Sequence, residues 1–119
     1  KPDAGEAAAR AVAMGESLIG DARAYEGDLG DYAYACVVAG RIAQQRGDAQ
    51  VARTHWDKAV GAAAPLLAQS NNWRLLDPAA RALAHGGRAD ESRAIIERLA
   101  RLGYQPLSPW PATGRPPSR

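Results

Sequence analysis

Phenylalanine is absent from this chain of 119 residues, and aromatics together reach only 6%. A sheet wants aromatic and β-branched residues, so this poverty argues against one. Cysteine occurs once, as Cys36, which excludes an internal disulfide and with it a disulfide scaffold. No Cys-x-x-Cys and no pair of histidines at ligand spacing occurs, so no zinc site or other metal site is expected. Lysine is confined to Lys1 and Lys58, and the net charge is only +2. The positive charge is arginine interleaved with Asp and Glu, not the one-sided basic face of a nucleic-acid binder. No apolar run approaches the roughly 20 residues of a membrane span. The longest candidate, Ala59 to Ala68, is interrupted by Gly61 and Pro65. The chain starts at Lys1 without Met, as a fragment or processed product would, so a missing leader says little about compartment. A cytoplasmic setting is the expectation.

What is abundant is alanine, roughly a quarter of the chain. Alanine is the best helix former and lets helices approach closely. At 46% hydrophobic and 24% charged, the chain is too apolar to stay disordered. An all-α fold of about five helices follows. Asp3 and Glu6 have capping-box spacing and open a first helix that continues to about residue 26. Val12, Gly15, Leu18 or Ile19, and Ala22 recur along one face, with a break expected near Gly20 and Asp21 as a new cap. Two glycines and two aspartates between Gly27 and Asp31 predict a turn. A second helix is predicted from about Tyr32 to Arg46, burying Cys36, Ala39, Gly40 and Ala43. Gly47-Asp48 stops it and caps the next helix, which starts at Ala49 and buries Ala52, Trp56, Ala59 and Ala63. Pro65 ends or kinks that helix. A fourth helix covers Trp73 to Gly86, although Asp77-Pro78 reads equally well as its start. A fifth runs from Ala89 to Leu102, with Ser92, Ile95, Ile96, Leu99 and Leu102 inward and Gly103-Tyr104 as a Schellman close. Five of the eight prolines fall after residue 104, so 1–104 is read as the helical domain and 105–119 as a Pro-rich extended tail.

A shift of 40 residues maps Gly40, Gly47, Ala52, Trp56 and Ala59 onto Ala80, Gly87, Ser92, Ile96 and Leu99. Small residues stay small, the turn glycine stays glycine, and Trp56 is matched by a large aliphatic residue. Each unit is a helix, a tight glycine turn and a second helix. The pattern over residues 33 to 103 resembles the tetratricopeptide repeat, with Ala33 to Pro65 the better unit. It departs from the family in its longer period and in Ala43, where a bulky residue is usual. Leu75-Leu76-Asp77-Pro78, Gly87-Arg88 and Leu102-Gly103-Tyr104 look like a last repeat in bacterial multidomain proteins, where such repeats follow a kinase or a DNA-binding regulatory domain.

The resemblance implies a right-handed superhelix whose first helices line a concave groove for a peptide or partner protein. It puts Tyr34, Val37, Arg41 and Gln45 in the groove from the better unit, and Arg74, Asp77, Arg81 and His85 from the other. Arg41 and Arg81, one repeat apart, could together hold a carboxylate. The family's clamp for a C-terminal carboxylate is not reproduced, because Val37 and Asp77 stand where polar or basic residues are usual. Trp56 is expected in the core, and Trp73 as a staple to the preceding helix. Trp110, flanked by prolines, is a low-entropy anchor expected to pack on the groove of its own or a neighbouring chain. His55 and His85 lack metal-ligand neighbours, Cys36 falls on a buried stripe, and Ser17, Ser70 and Ser92 lack a base-and-orienter set. The expectation is a non-catalytic interaction module or scaffold without cofactor, nucleic acid or membrane. The alternative is a self-association domain, forming homo-oligomers for a larger bacterial regulatory protein or kinase.

Overall fold

The computed structural model describes residues 3–19 and 26–111. The expected break at Gly20, the cap at Asp21, the burial of Leu18, Ile19 and Ala22, and the prolines at 116 and 117 lie outside what it describes. Five α-helices follow in order: α1 (Ala4–Ile19), α2 (Glu26–Gln45), α3 (Ala49–Ala63), α4 (Trp73–His85) and α5 (Ala89–Arg101). A short 3-10 turn, Ala64–Leu66, follows α3. No strand occurs among the described residues, and the fold is all-α.

Local chemistry sets most boundaries. The Glu6 backbone N–H donates to the Asp3 carboxylate at 2.8 Å, opening α1. That hydrogen bond holds the Asp3 pKa below its ordinary value, helped by the nearby Arg46 guanidinium. The Asp48 carboxylate accepts from the Val51 N–H and opens α3. Helices α2, α4 and α5 each close on a glycine of positive φ, at Gly47, Gly87 and Gly103. In each case the residue after the glycine donates back across the last turn: Asp48 to the Ala43 carbonyl, Arg88 to Leu83, Tyr104 to Leu99. Pro65 lies inside the 3-10 turn, where the regular helix has already ended.

One boundary differs from the sequence expectation, and of the two starts left open for α4 the structure takes the first. Residues Gly27 to Asp31 are helix, not turn, because α2 starts at Glu26. Gly27 and Gly30 serve close packing: a Cβ on Gly30 would overlap the Arg74 carbonyl, and one on Gly27 would press on the Arg74 guanidinium. Helix α4 starts at Trp73, with the Asn72 side chain accepting from the Arg74 N–H. Pro78 is therefore inside the helix, where its missing N–H deprives the Arg74 carbonyl of its regular i+4 donor. The same carbonyl meets Gly30.

Helix α2 packs on α1, α3 and α4, while α4 also packs on α3 and α5. The tight turns at Gly47 and Gly87 fold α3 back on α2 and α5 back on α4. The paired helices touch closely in both hairpins: Gly40 lies against the Trp56 indole, and the Ser92 hydroxyl donates to the Ala80 carbonyl at 2.8 Å. Cys36, Ala39, Gly40 and Ala43 are buried in α2, as are Ala52, Trp56, Ala59 and Ala63 in α3. On α5 Ser92, Ile95 and Leu99 are buried and Ile96 half-buried. Leu102 is exposed, because it is the residue on which the helix ends. Burial raises the Cys36 thiol pKa, leaving it a small apolar core residue. Trp56 is buried between Gly40 of α2 and the His85 ring of α4, which stacks on it at 4.9 Å.

Candidate functional site

A concave groove of about 790 Å³ runs between α1, α2, α4 and the segment after α5. Alanine makes one wall: Ala4, Ala7, Ala8 and Ala11 of α1, spaced so that they share a face. Helix α2 supplies the facing wall with Tyr34, Ala35, Val38 and Ile42. Tyr34 is exposed, and Trp73, which begins α4, is also exposed at the groove's edge. The ionisable residues gather toward α4. Arg74 pairs with Asp31 through one guanidinium nitrogen 3.2 Å from both carboxylate oxygens. Both partners are exposed, so this pair contributes little to stability.

The second pair is buried. Arg81 Nε donates to Asp77 Oδ1 at 2.6 Å, one helical turn apart, and both side chains are nearly out of solvent. The Tyr104 hydroxyl donates to Asp77 Oδ2 at 2.5 Å. Burial, together with the carboxylate it faces, pushes the Tyr104 pKa up to about 12, so the phenol keeps its proton. Arg81 also donates to two backbone carbonyls of the following segment, Nη1 to Pro109 at 2.9 Å and Nη2 to Ser108 at 3.0 Å. The Trp110 ring lies over the guanidinium, 4.5 Å from carbon to centroid. The segment 105–111 is thereby strapped across α4.

Of the groove residues expected from the sequence, Tyr34, Arg74, Asp77 and Arg81 line this concavity, and Val37, Arg41, Gln45 and His85 do not. Val37 is buried in the core. The α2 stripe that faces the groove is Tyr34–Val38–Ile42, one residue on from the expected stripe. Its register is set by three packed neighbours, which turn Val37 inward. Arg41 and Gln45 are exposed outside the groove lining. His85 faces Trp56, and its pKa is lowered by burial first and then by the Arg41 and Arg81 charges. Arg81 is engaged by Asp77 and the strap, so the expected joint clamp with Arg41 is not assembled. Trp73, read as a staple to the preceding helix, instead stacks on Tyr104 at 5.5 Å. Trp110, expected on a groove surface, packs on Arg81 and, at 6.4 Å between ring centres, on Tyr104.

Sequence reasoning missed the α1 wall, because alanine suits any helix face. It also missed Tyr104 as a bridge between strap and α4, although its place after the closing glycine of α5 was a usable signal. Two of the serines are held in structural bonds: Ser92 donates to the Ala80 carbonyl, and Ser70 donates to Glu26 at 2.5 Å while accepting the Asn72 N–H, whereas Ser17 is exposed. A smaller concavity of about 390 Å³ lies where α1 and the end of α2 meet α3, lined in part by Asp3, Arg46 and His55. No cluster of three or more His, Cys, Asp or Glu suited to a metal occurs among the described residues. None of the described helices is long and apolar enough to cross a membrane.

Fold and groove together define an all-α protein with an apolar concave face bordered by Leu107 and Ser108 of its own strap. Comparison with protein-family models, curated proteins and solved structures found no match.

Proposed function

We propose that this chain is a non-catalytic interaction module of the tetratricopeptide kind, binding an extended peptide or partner protein in the groove between α1, α2 and α4. The observation that supports this reading is the groove itself. Its volume lies in the range of ligand-binding concavities, its walls are aliphatic and aromatic, and its charged groups gather at α4. Such a surface gains affinity by burying apolar side chains and takes orientation from the few charged groups.

The test is selection from a displayed library of random peptides, followed by affinity measurement on variants. Val38→Glu puts an unpaired charge on the groove wall at a half-buried position. It should weaken selected peptides at least tenfold, whereas Gln50→Ala on the exposed start of α3 should leave them unchanged. A library that yields no binder, or binders indifferent to Val38→Glu, would reject the groove.

A further inference from the structure

The strap makes few contacts, and they are of an unusual kind. Arg81 reads the carbonyls of two consecutive residues, Ser108 and Pro109, and presents its flat face to the ring of Trp110. Carbonyls are common to every residue, so these hydrogen bonds select a backbone shape, not a side chain. Proline supplies that shape, because it holds φ near −65° and brings no N–H that would need a partner. The Trp110 ring supplies the side-chain contact: it lies over the cation, favoured by the indole quadrupole, and it packs against the apolar cluster of α4 and α5. Tyr104 packs on the same ring and, through Asp77, holds the guanidinium in position.

The strap buries little of itself. Leu107 is fully exposed, Gln105, Ser108 and Pro109 are exposed, and Pro106, Trp110 and Pro111 are only half-buried. A segment fixed for stability alone would bury its leucine. The Asp77–Arg81–Tyr104 cluster is complete without the strap except for the two guanidinium donors, which any pair of suitably spaced carbonyls would satisfy. Asp77, Arg81, Tyr104 and Ser108 also line the groove, so this seat is the end of the concavity.

We propose that Asp77, Arg81 and Tyr104 form a recognition seat for an extended proline–aromatic segment, that residues 108–110 occupy it within the chain, and that such a segment of a partner protein displaces them. The inference deepens the peptide-binding reading and rests on it. It adds the chemistry of the preferred ligand and a competition: the attached strap is present at an effective concentration in the millimolar range. A partner must exceed that, or bring additional groove contacts, to displace it.

The probe is a fluorescein-labelled peptide of residues 105–111, titrated by anisotropy against the whole chain and against the whole chain carrying Trp110→Ala. Saturable binding to the Trp110→Ala chain, at least tenfold tighter than to the unaltered chain, is the expected result. The same peptide carrying Trp110→Ala should bind the variant chain at least tenfold more weakly. Adding Arg81→Lys to the Trp110→Ala chain keeps a cation but removes the planar fork, and should weaken the unaltered peptide to a similar degree. Circular dichroism of each variant establishes that it folds, and the altered peptide tests the seat without any further change to the protein. Equal binding to both chains, no saturable binding up to about 1 mM, or indifference to the peptide's tryptophan would overturn the proposal. If those results came while library-selected peptides still lost affinity for Val38→Glu, the groove reading would stand and the seat alone would fall.

Discussion

At the scale of single residues, the hinge of the packing is an indole lying on a glycine. Trp56 fits against Gly40 because nothing projects from that Cα, and its other side meets the His85 ring. Gly40→Ala would drive a methyl group into a rigid indole. The substitution should cost about 1–3 kcal/mol, read as a lower urea midpoint at unchanged slope. Histidine titration gives a second residue-scale expectation. Burial lowers the pKa of His85, with Arg41 and Arg81 adding to it. Burial also lowers that of His55, with Lys58 adding and Glu16 opposing. A histidine of depressed folded pKa binds fewer protons folded than unfolded between that value and its ordinary one of about 6.5. Stability therefore rises with pH across this window and is lost as pH falls through it. Unfolding free energies from pH 5 to 7.5 should climb, and His85→Gln should flatten the climb. A profile identical in the variant would remove His85 from the account. The carboxylates act lower: Asp3 and Glu16, held down by the Glu6 N–H and by Lys58 respectively, lose their contributions only as pH falls below the ordinary carboxylate range.

At the scale of elements, the crossing of α2 and α4 explains both an unusual proline and a misleading glycine cluster. Pro78 cannot donate to the Arg74 carbonyl, and that carbonyl lies against Gly30 of the neighbouring helix. Gly30→Ala would place a methyl group on backbone that cannot rotate away, so a loss of about 2–3 kcal/mol is expected. Gly61 is the control: it is an exposed helical glycine of α3 with open space where a Cβ would go. Gly61→Ala should stabilise by about 0.5–1 kcal/mol. Opposite signs from two helical Gly→Ala changes, measured by urea unfolding, would establish the close crossing. Equal and stabilising effects would reject it. The same crossing marks where sequence reading runs out. Capping aspartates, closing glycines and the stop at Pro65 act through neighbours in the chain, so α3, α5 and both tight turns were legible. A glycine needed because another helix touches it has no local signature, so Gly27 and Gly30 read as a turn. The candidate site divides in the same way. Asp77 and Arg81 were expected in the groove from the repeat resemblance, whereas the register of α2 depended on three neighbours that sequence spacing does not reveal.

At the scale of the whole molecule, Arg81 joins parts that would otherwise meet weakly. It rises from α4, which packs on α2, α3 and α5, and it holds the segment beyond α5. Its partner Asp77 is buried and ties Tyr104 to the same point. A buried ion pair stabilises little relative to a well-packed apolar pair, but breaking it leaves one charge without a counter-charge. Arg81→Met alone should therefore cost about 3–5 kcal/mol, a large part of the 5–15 kcal/mol that typically holds a domain folded. Adding Asp77→Leu removes the stranded carboxylate, and the double variant should recover most of the loss. Stability and strap then separate. The double variant should unfold near the unaltered chain in urea, yet neither carbonyl of Ser108 and Pro109 would have its donor and Trp110 would lose its cation. Chymotrypsin should accordingly cut after Leu107 faster in the double variant than in the unaltered chain, with helix content by circular dichroism preserved. If Arg81→Met alone were as stable as the unaltered chain, the pair would carry no structural weight. If the recovered double variant were cut no faster, the strap would be held by something other than Arg81.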